Sequence, residues 1–142
     1  MNCYADTSFI FSLYVPDANS VSAANKAAKM KSPLVVTDFS EFEFINALQL
    51  RVFRRELKAS EVSEVLTLFR QDVSQGVFRV LPLPGSAFRH AIALANRHTA
   101  QLGSRGLDIL HVAAALALRC KIFFTFDRAQ SALARAAGLT LG

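Results

Sequence analysis

Asn2-Cys3-Tyr4-Ala5-Asp6-Thr7-Ser8 opens on a short apolar run that stops abruptly at an acid followed by two hydroxyl side chains. Such a stretch reads as a buried strand running straight into a helix N-terminus. The same form recurs along the chain. Ser32-Pro33 breaks an Ala-rich helical stretch, Asn19 to Lys31, and Leu34-Val35-Val36-Thr37 follows as a second buried strand. From Ser40 to Arg55, Phe44, Ala47, Leu48 and Val52 recur at helical spacing, with Arg51, Arg54 and Arg55 toward the end where cations suit the helix dipole. Ser60 is placed to cap a helix carrying Val62, Val65, Leu66 and Phe69, closed near Gly76; Phe78 to Leu81 is a third strand, ended by Pro82 and Pro84. One amphipathic helix then runs from Ala87 to about Gln101, and the turn Gly103-Ser104-Arg105-Gly106 leads into a nearly all-apolar helix, Leu107 to Leu118. Lys121 to Thr125 is a fourth strand, Asp127 starts a helix that Gly138 stops, and Leu139 to Leu141 is a last short strand. Short apolar strands alternating with helices, with no Asn-Gly hairpin signal between them, predict an α/β fold: a central parallel sheet of about four to five strands flanked by helices.

At 142 residues, 52% hydrophobic and 19% charged, the chain has the size and composition of one well-cored domain spanning residues 1–142. The longest apolar run free of charge or His, Val112 to Leu118, is far short of the ~20 residues that span a bilayer, so no membrane-spanning helix is expected. Asp6 interrupts the N-terminal apolar run and no basic segment precedes it, which argues against a signal peptide and makes a cytoplasmic location the expectation. Cys3 and Cys120 each lie in apolar surroundings, so buried thiols are expected rather than a disulfide or zinc site. His90, His98 and His111 lack metal-box spacing, and no Gly-rich phosphate loop is present. With 16 Lys and Arg against 11 Asp and Glu, the net charge of +5 suits a polyanionic partner but does not choose between nucleic acid, acidic protein and membrane surface.

In parallel α/β sheets ligands sit outside the carboxyl ends of the strands. Those positions hold Asp6, then Asp38 with Glu41 and Glu43, then Asp108 at the start of the apolar helix, then Asp127. Clustered carboxylates repel unless a cation neutralises them, and divalent ions with oxygen ligands are the usual answer. Capping competes with this reading at each position. Asp6 before Thr7-Ser8 is equally an N-cap; Ser40-Glu41-Phe42-Glu43 has the form of a capping box, and so has Asp127-Arg128-Ala129-Gln130. Asp108 differs, since Ile109, Leu110, Val112 and Ala113 surround it and an unpaired charge there is costly. His111, one turn after Asp108, reads as a hydrogen-bonded core histidine, and the many Phe residues as core or partner interface rather than base-stacking platforms.

Four blocks of the chain resemble the PIN-domain nucleases, and specifically the VapC-like toxins of bacterial type II toxin–antitoxin pairs. They are Tyr4-Ala5-Asp6-Thr7-Ser8; Glu43-Phe44-Ile45-Asn46-Ala47-Leu48; Arg105-Gly106-Leu107-Asp108-Ile109-Leu110-His111-Val112-Ala113-Ala114-Ala115-Leu116; and Phe124-Thr125-Phe126-Asp127, before the closing Ala136-Ala137-Gly138-Leu139. The resemblance implies a metal-dependent endoribonuclease with an acidic pocket of Asp6, Glu43, Asp108 and Asp127, with Thr125 supporting it. Asp6 and Asp108 would be the principal ligands of Mg²⁺ or Mn²⁺, with Glu43 and Asp127 secondary or acting through water. Asp38 and Glu41 stand near enough to Glu43 to compete for its place, although only Glu43 lies four residues before the Ala47-Leu48 pair. Where the family often has a basic residue three after that Ala, this chain has Leu50, with Arg51 next. Arg51, Arg54, Arg55, Arg105 and Arg128 are candidates for RNA phosphate contacts. The family further implies a small antitoxin as partner, for which apolar residues on the helices from Ser40 to Gly76 are the first place to look, and homodimers. A housekeeping RNA-processing enzyme and a PIN-like binding module are the competing readings; an antitoxin-like reading frame directly upstream would separate toxin from housekeeping enzyme. A phosphotransfer receiver domain would want paired acids after strand one and a late Lys, and Lys121 stands at the wrong end of its strand. With the four pocket acids set aside, 16 basic side chains face 7 acidic ones, so the remaining surface is more basic than the total suggests.

Overall fold

The computed structural model describes residues 2–142. Five strands, β1 (Cys3–Ala5), β2 (Leu34–Thr37), β3 (Phe78–Leu81), β4 (Ile122–Phe124) and β5 (Thr140–Leu141), form one sheet in the order β3-β2-β1-β4-β5. All four pairings are parallel, as the absence of hairpin signals predicts. Helices α1 (Thr7–Tyr14) and α2 (Ser20–Ala28) link β1 to β2, while α3 (Asp38–Phe53) and α4 (Ala59–Ser74) link β2 to β3. The chain then crosses back past β1 through α5 (Ser86–Leu94), a π-helical turn over Ala95–Thr99, α6 (Ala100–Leu102) and α7 (Gly106–Ala117), and α8 (Arg128–Ala136) precedes β5.

Residue alternation along the strands divides the core between the two faces of the sheet. Cys3, Ala5, Leu34, Val36 and Phe124 pack with Phe9, Phe44, Leu48, Val62 and Phe69 of α1, α3 and α4. Tyr4, Val35 and Phe123 point the other way, into Leu94, Ile109, Val112 and Leu133 of α5, α7 and α8. Because β1 is the middle strand it is buried on both faces, which explains its unbroken apolar reading. Truncating Phe44 or Phe123, both fully buried, to Ala would cost about 3–5 kcal/mol. Among the described residues no helix is long and apolar enough to cross a membrane.

Several boundaries differ from the sequence reading. The helix expected from Ser40 begins at Asp38, because the capping box is made by Thr37 and Ser40. The Thr37 hydroxyl accepts from the Ser40 amide at 3.2 Å, and the Ser40 hydroxyl accepts from the Thr37 amide at 3.3 Å. Glu43 is therefore not a capping residue. Lys58, not Ser60, stands at the N-cap of α4, with its amide donating to Glu61 Oε1 at 3.0 Å. The long helix after β3 is not uniformly α-helical but carries the π turn over Ala95–Thr99. It ends at Gly103, whose φ of 63° is left-handed and suits a residue without Cβ.

Candidate active site

Strand order reverses between β1 and β4: the chain moves outward from β1 through β2 to β3, then returns to add β4 on the opposite side. This is the topological switch point, where the loops after neighbouring strands part and leave a crevice. Ala5 and Phe124 are paired there, and the Asp6 amide donates to the Phe124 carbonyl at 3.0 Å. Residues just after each strand, Asp6 and Thr125 to Asp127, therefore flank the crevice.

Asp6 is buried, 1% exposed, and is the N-cap of α1. Its Oδ1 accepts from the Phe9 amide at 3.0 Å and from the Ser8 hydroxyl at 2.7 Å, while Oδ2 accepts from the Thr125 hydroxyl. Burial pushes the Asp6 carboxyl above its usual range; nearby His111 and the bonds from Thr125, Phe9 and Ser8 pull the other way without cancelling it. The N-cap and pocket roles coexist at this residue. Thr125 Oγ1 also accepts the Asp127 amide at 3.0 Å, and Ser8 Oγ accepts the Phe126 amide at 3.0 Å, so two hydroxyls lock the β4–α8 loop to the start of α1.

Glu43 stands one and a half turns into α3, where its carboxylate reaches β1's successor and α7 together. Its Oε1 accepts from the Thr7 hydroxyl at 2.8 Å and pairs with His111 Nε2. Burial pushes this carboxyl up, but the hydrogen bond and nearness of His111, with the Thr7 bond, outweigh it, and Glu43 lies below the usual carboxylate range. The competitors are engaged differently. Asp38 Oδ1 accepts the amides of Phe39 and Leu83, both at 2.9 Å, tying the loop after β3 to the start of α3, and Glu41 makes no hydrogen bond.

Asp108 lies in the first turn of α7 and carries no hydrogen bond. Burial raises its carboxyl, and the charges of Asp127 and Glu43 raise it further against the smaller help of His111 and Arg105. Asp127 is exposed and caps α8, accepting the Gln130 amide at 2.9 Å. Asp108 thus stands within electrostatic reach of Asp127 and Glu43, and Asp6 and Asp108 both stand within reach of His111. Among the described residues no three His, Cys, Asp or Glu side chains close around a single point. Mg²⁺ seldom demands such a cage: it keeps several waters and takes one or two carboxylates, so an all-oxygen rim with an unbonded, repelled carboxylate at Asp108 fits that ion in kind.

Beside the rim opens a cleft of about 390 Å³ lined by Thr7, Ser8, Phe11, Arg51, Arg54 and Asp127 among others. Arg51 sits with its guanidinium 4.9 Å from the centre of the Phe11 ring and bridges Glu56 at 3.1 Å. Arg55, Arg105 and Arg128 do not line it: Arg55 holds a left-handed turn after α3, Arg105 precedes α7 next to Asp108, and Arg128 begins α8. Tyr4, Thr7 and Ser8 have no site role in the sequence reading, and Ser40 has only that of a helix cap. A signal for Ser8 was present, since a hydroxyl two residues after an Asp at a strand end is a common turn partner. The core reading of His111 is met in its burial, at 1% exposed, but its partners are site residues.

Several solved structures share this fold. Mycobacterium tuberculosis VapC20, a sarcin–ricin loop cleaving toxin, superposes with a TM-score of 0.71 at 18% identity, covering 98% of this chain and 97% of its own. VapBC2 from Rickettsia felis, bound to a DNA fragment from its promoter, gives 0.70 at 14% identity over 100% and 98%. VapBC-1 from nontypeable Haemophilus influenzae gives 0.68 at 17% identity over 100% and 97%. At such identities the likeness is one of fold. Curated protein sequences give no match. The PIN domain model matches residues 3–136, nearly the whole described chain, and the protein belongs to the PIN domain family.

Proposed function

We propose that this protein is a metal-dependent endoribonuclease, the toxin of a type II toxin–antitoxin pair, with Asp6, Glu43, Asp108 and Asp127 as its acidic pocket. The observation that carries the reading is Asp108: a carboxylate with no hydrogen bond, held near Asp127 and Glu43 against its own repulsion. A fold has little reason to keep such a group uncompensated unless a cation completes it. The resemblance in fold to VapC20 and to the VapBC complexes supports the toxin class, and Arg51 and Arg54 in the cleft beside the rim support RNA as substrate.

Asp6 and Asp108 would hold the ion, with Glu43 and Asp127 reaching it through water. When bound, Mg²⁺ or Mn²⁺ supplies a water of lowered pKa and neutralises charge on the phosphoryl oxygens and leaving group. The chain's own part is positional. Ser8, Thr125 and the Phe9 amide fix both oxygens of Asp6, so its carboxylate needs no reorganisation when substrate arrives. Glu43 keeps Oε2 without a hydrogen bond, the oxygen that would take a proton from the attacking water. Arg51 and Arg54 would hold the strand in the cleft, and in-line hydrolysis would leave a 5′-phosphate. An antitoxin and a second copy of the chain are the proposed partners. The exposed Phe42, Leu50 and Phe53 of α3 and Leu68 of α4 offer the antitoxin an apolar surface.

The test is cleavage of a mixed RNA pool by purified protein with Mg²⁺ or Mn²⁺, with EDTA, and by Asp6→Ala and Asp108→Asn. Cleavage lost in EDTA and in both variants is the expected result. Equal cleavage by the variants, or cleavage indifferent to chelation, refutes a metal nuclease.

A further inference from the structure

We propose that His111 is a positioning residue for Glu43: held in place by the Tyr4 phenol, it donates from Nε2 and fixes the orientation of the carboxylate at the acidic rim. The proposal rests on the nuclease reading above and adds to it a chain of hydrogen bonds through four elements of the fold, β2, α3, β1 and α7.

The direction of that chain follows from its two ends. Glu43 Oε1 already accepts the Thr7 hydroxyl, and a carboxylate oxygen in that role accepts again rather than donates, so the proton between it and His111 sits on Nε2. On the other side of the ring, Tyr4 Oη lies 2.8 Å from His111 Nδ1 and 3.1 Å from Ser40 Oγ, and Ser40 Oγ lies 3.1 Å from Thr37 Oγ1. One assignment gives every hydroxyl a donor role: Thr37 to Ser40, Ser40 to Tyr4, Tyr4 to His111, His111 to Glu43.

A histidine kept only for packing would need one partner, commonly a backbone carbonyl. Here both ring nitrogens go to side chains on other elements, one in β1 and one in α3, while the ring packs 4.7 Å from the Phe39 ring centre. The elements so joined also carry the other acids. Asp6 is two residues beyond Tyr4, and Asp108 is three before His111. Glu43 is the long, half-buried side chain of the set, the one with most freedom to leave the rim, and Thr7 and His111 both hold its Oε1. Partners of this kind behind a ligand typically contribute about 10–100-fold to metal affinity.

Two measurements on the full chain test the role, neither of them using RNA. Without metal and at fixed neutral pH, nitrogen-15 NMR should find His111 protonated at Nε2, with a slowly exchanging proton whose exchange becomes fast in Glu43→Ala, which removes the acceptor. With Mn²⁺ alone as the probe, His111→Leu should bind about 10–100-fold more weakly than wild type, while His111→Gln, which keeps an N–H donor at the Nε2 position, recovers most of that loss. A folded His111→Leu that binds Mn²⁺ as tightly as wild type overturns the proposal. So does a wild-type ring with no proton on Nε2, a result that stands even should the Leu variant fail to fold. Failure of wild type itself to bind Mn²⁺ is a different result, and defeats the nuclease reading together with what rests on it.

Discussion

Thr125 donates its hydroxyl proton to Oδ2 of Asp6, 119 residues earlier in the chain, while its oxygen accepts the Asp127 amide. One small side chain after β4 thereby orients the buried carboxylate after β1 and the loop that carries a second acid. Thr125→Val preserves the shape and removes only the hydroxyl, leaving a buried carboxylate oxygen without its donor at a cost of about 1–3 kcal/mol. RNA cleavage should fall by roughly 10-fold or more, as for loss of a partner that orients a metal ligand. Thr125→Ser should retain most activity. Cleavage assays with matched urea melts check both, and a Val variant as active as wild type would remove Thr125 from the site.

Asp108 presents the opposite balance, since the fold would be better off without its charge. Asp108→Asn relieves the repulsion from Asp127 and Glu43 at a side chain that is half exposed. Solvent screening limits the gain to about 1 kcal/mol or less. For a chain of this length that corresponds to a rise in Tm of about 1–4 °C. The variant should therefore be inactive and slightly more heat-stable than wild type in EDTA. Added Mn²⁺ should raise the Tm of wild type, by mass action on the folded state, and leave the variant nearly unmoved. A Tm below that of wild type in EDTA would mean that Asp108 stabilises the fold through contacts rather than straining it.

The pH dependence of stability separates Asp6 from Glu43 by sign. The Asp6 carboxyl is raised in the folded state, so between the ordinary value of about 3.9 and its folded value the native chain holds a proton that the unfolded chain has released. Stability from this group is lost as pH rises through that window. The Glu43 carboxyl is lowered, so its contribution is present above the ordinary value of about 4.3 and is lost as pH falls through the folded one. Asp6→Asn should consequently gain stability relative to wild type as pH rises above about 4 and hold the gain beyond the folded pKa of Asp6. Glu43→Gln should lose ground over the lower range. Urea melts in EDTA across pH 3 to about 8 measure both differences, and a flat difference for Asp6→Asn would show that its burial is already compensated.

What could be read from residues alone was whatever depends on near neighbours in the chain. Strands β1, β2 and β3 were legible because each apolar run is short and closed by an acid or Pro, and the acids at the strand ends were legible because parallel topology sends all those ends to one rim. The start of α3 was misread, since Thr37 and Ser40 are both good capping residues and local preference does not say which hydroxyl faces the free amides. That small shift of the cap decides what Glu43 is free to do. The bonds of His111 were out of reach for a different reason: its partners lie 107 and 68 residues away, and only the packing of α7 against β1 and α3 brings them together. The π turn over Ala95–Thr99 has no Pro or Gly within it to announce it.

The cleft beside the rim yields a prediction about RNA that does not depend on chemistry at the acids. Arg54 is exposed and lines the cleft, whereas Arg55, its neighbour, points its backbone through a left-handed turn with φ of 61° and is not part of the lining. A phosphate contact releases bound counterions, so each one contributes about −0.7 to the slope of log affinity against log salt for single strands. In an Asp108→Asn background, where RNA should bind without being cut, Arg54→Ala should weaken binding at low salt and flatten the slope by about 0.7, equally for different sequences. Arg55→Asn, which tolerates the left-handed backbone, removes the same formal charge away from the cleft and should change the slope little. Arg51→Ala should do more than Arg54→Ala, because it also strips the cation from the Phe11 ring that forms the cleft wall. Salt-dependent binding of a short single-stranded RNA to the three variants distinguishes a localised track from a diffuse basic surface: equal losses for Arg54 and Arg55 would mean that the cleft does not guide the strand.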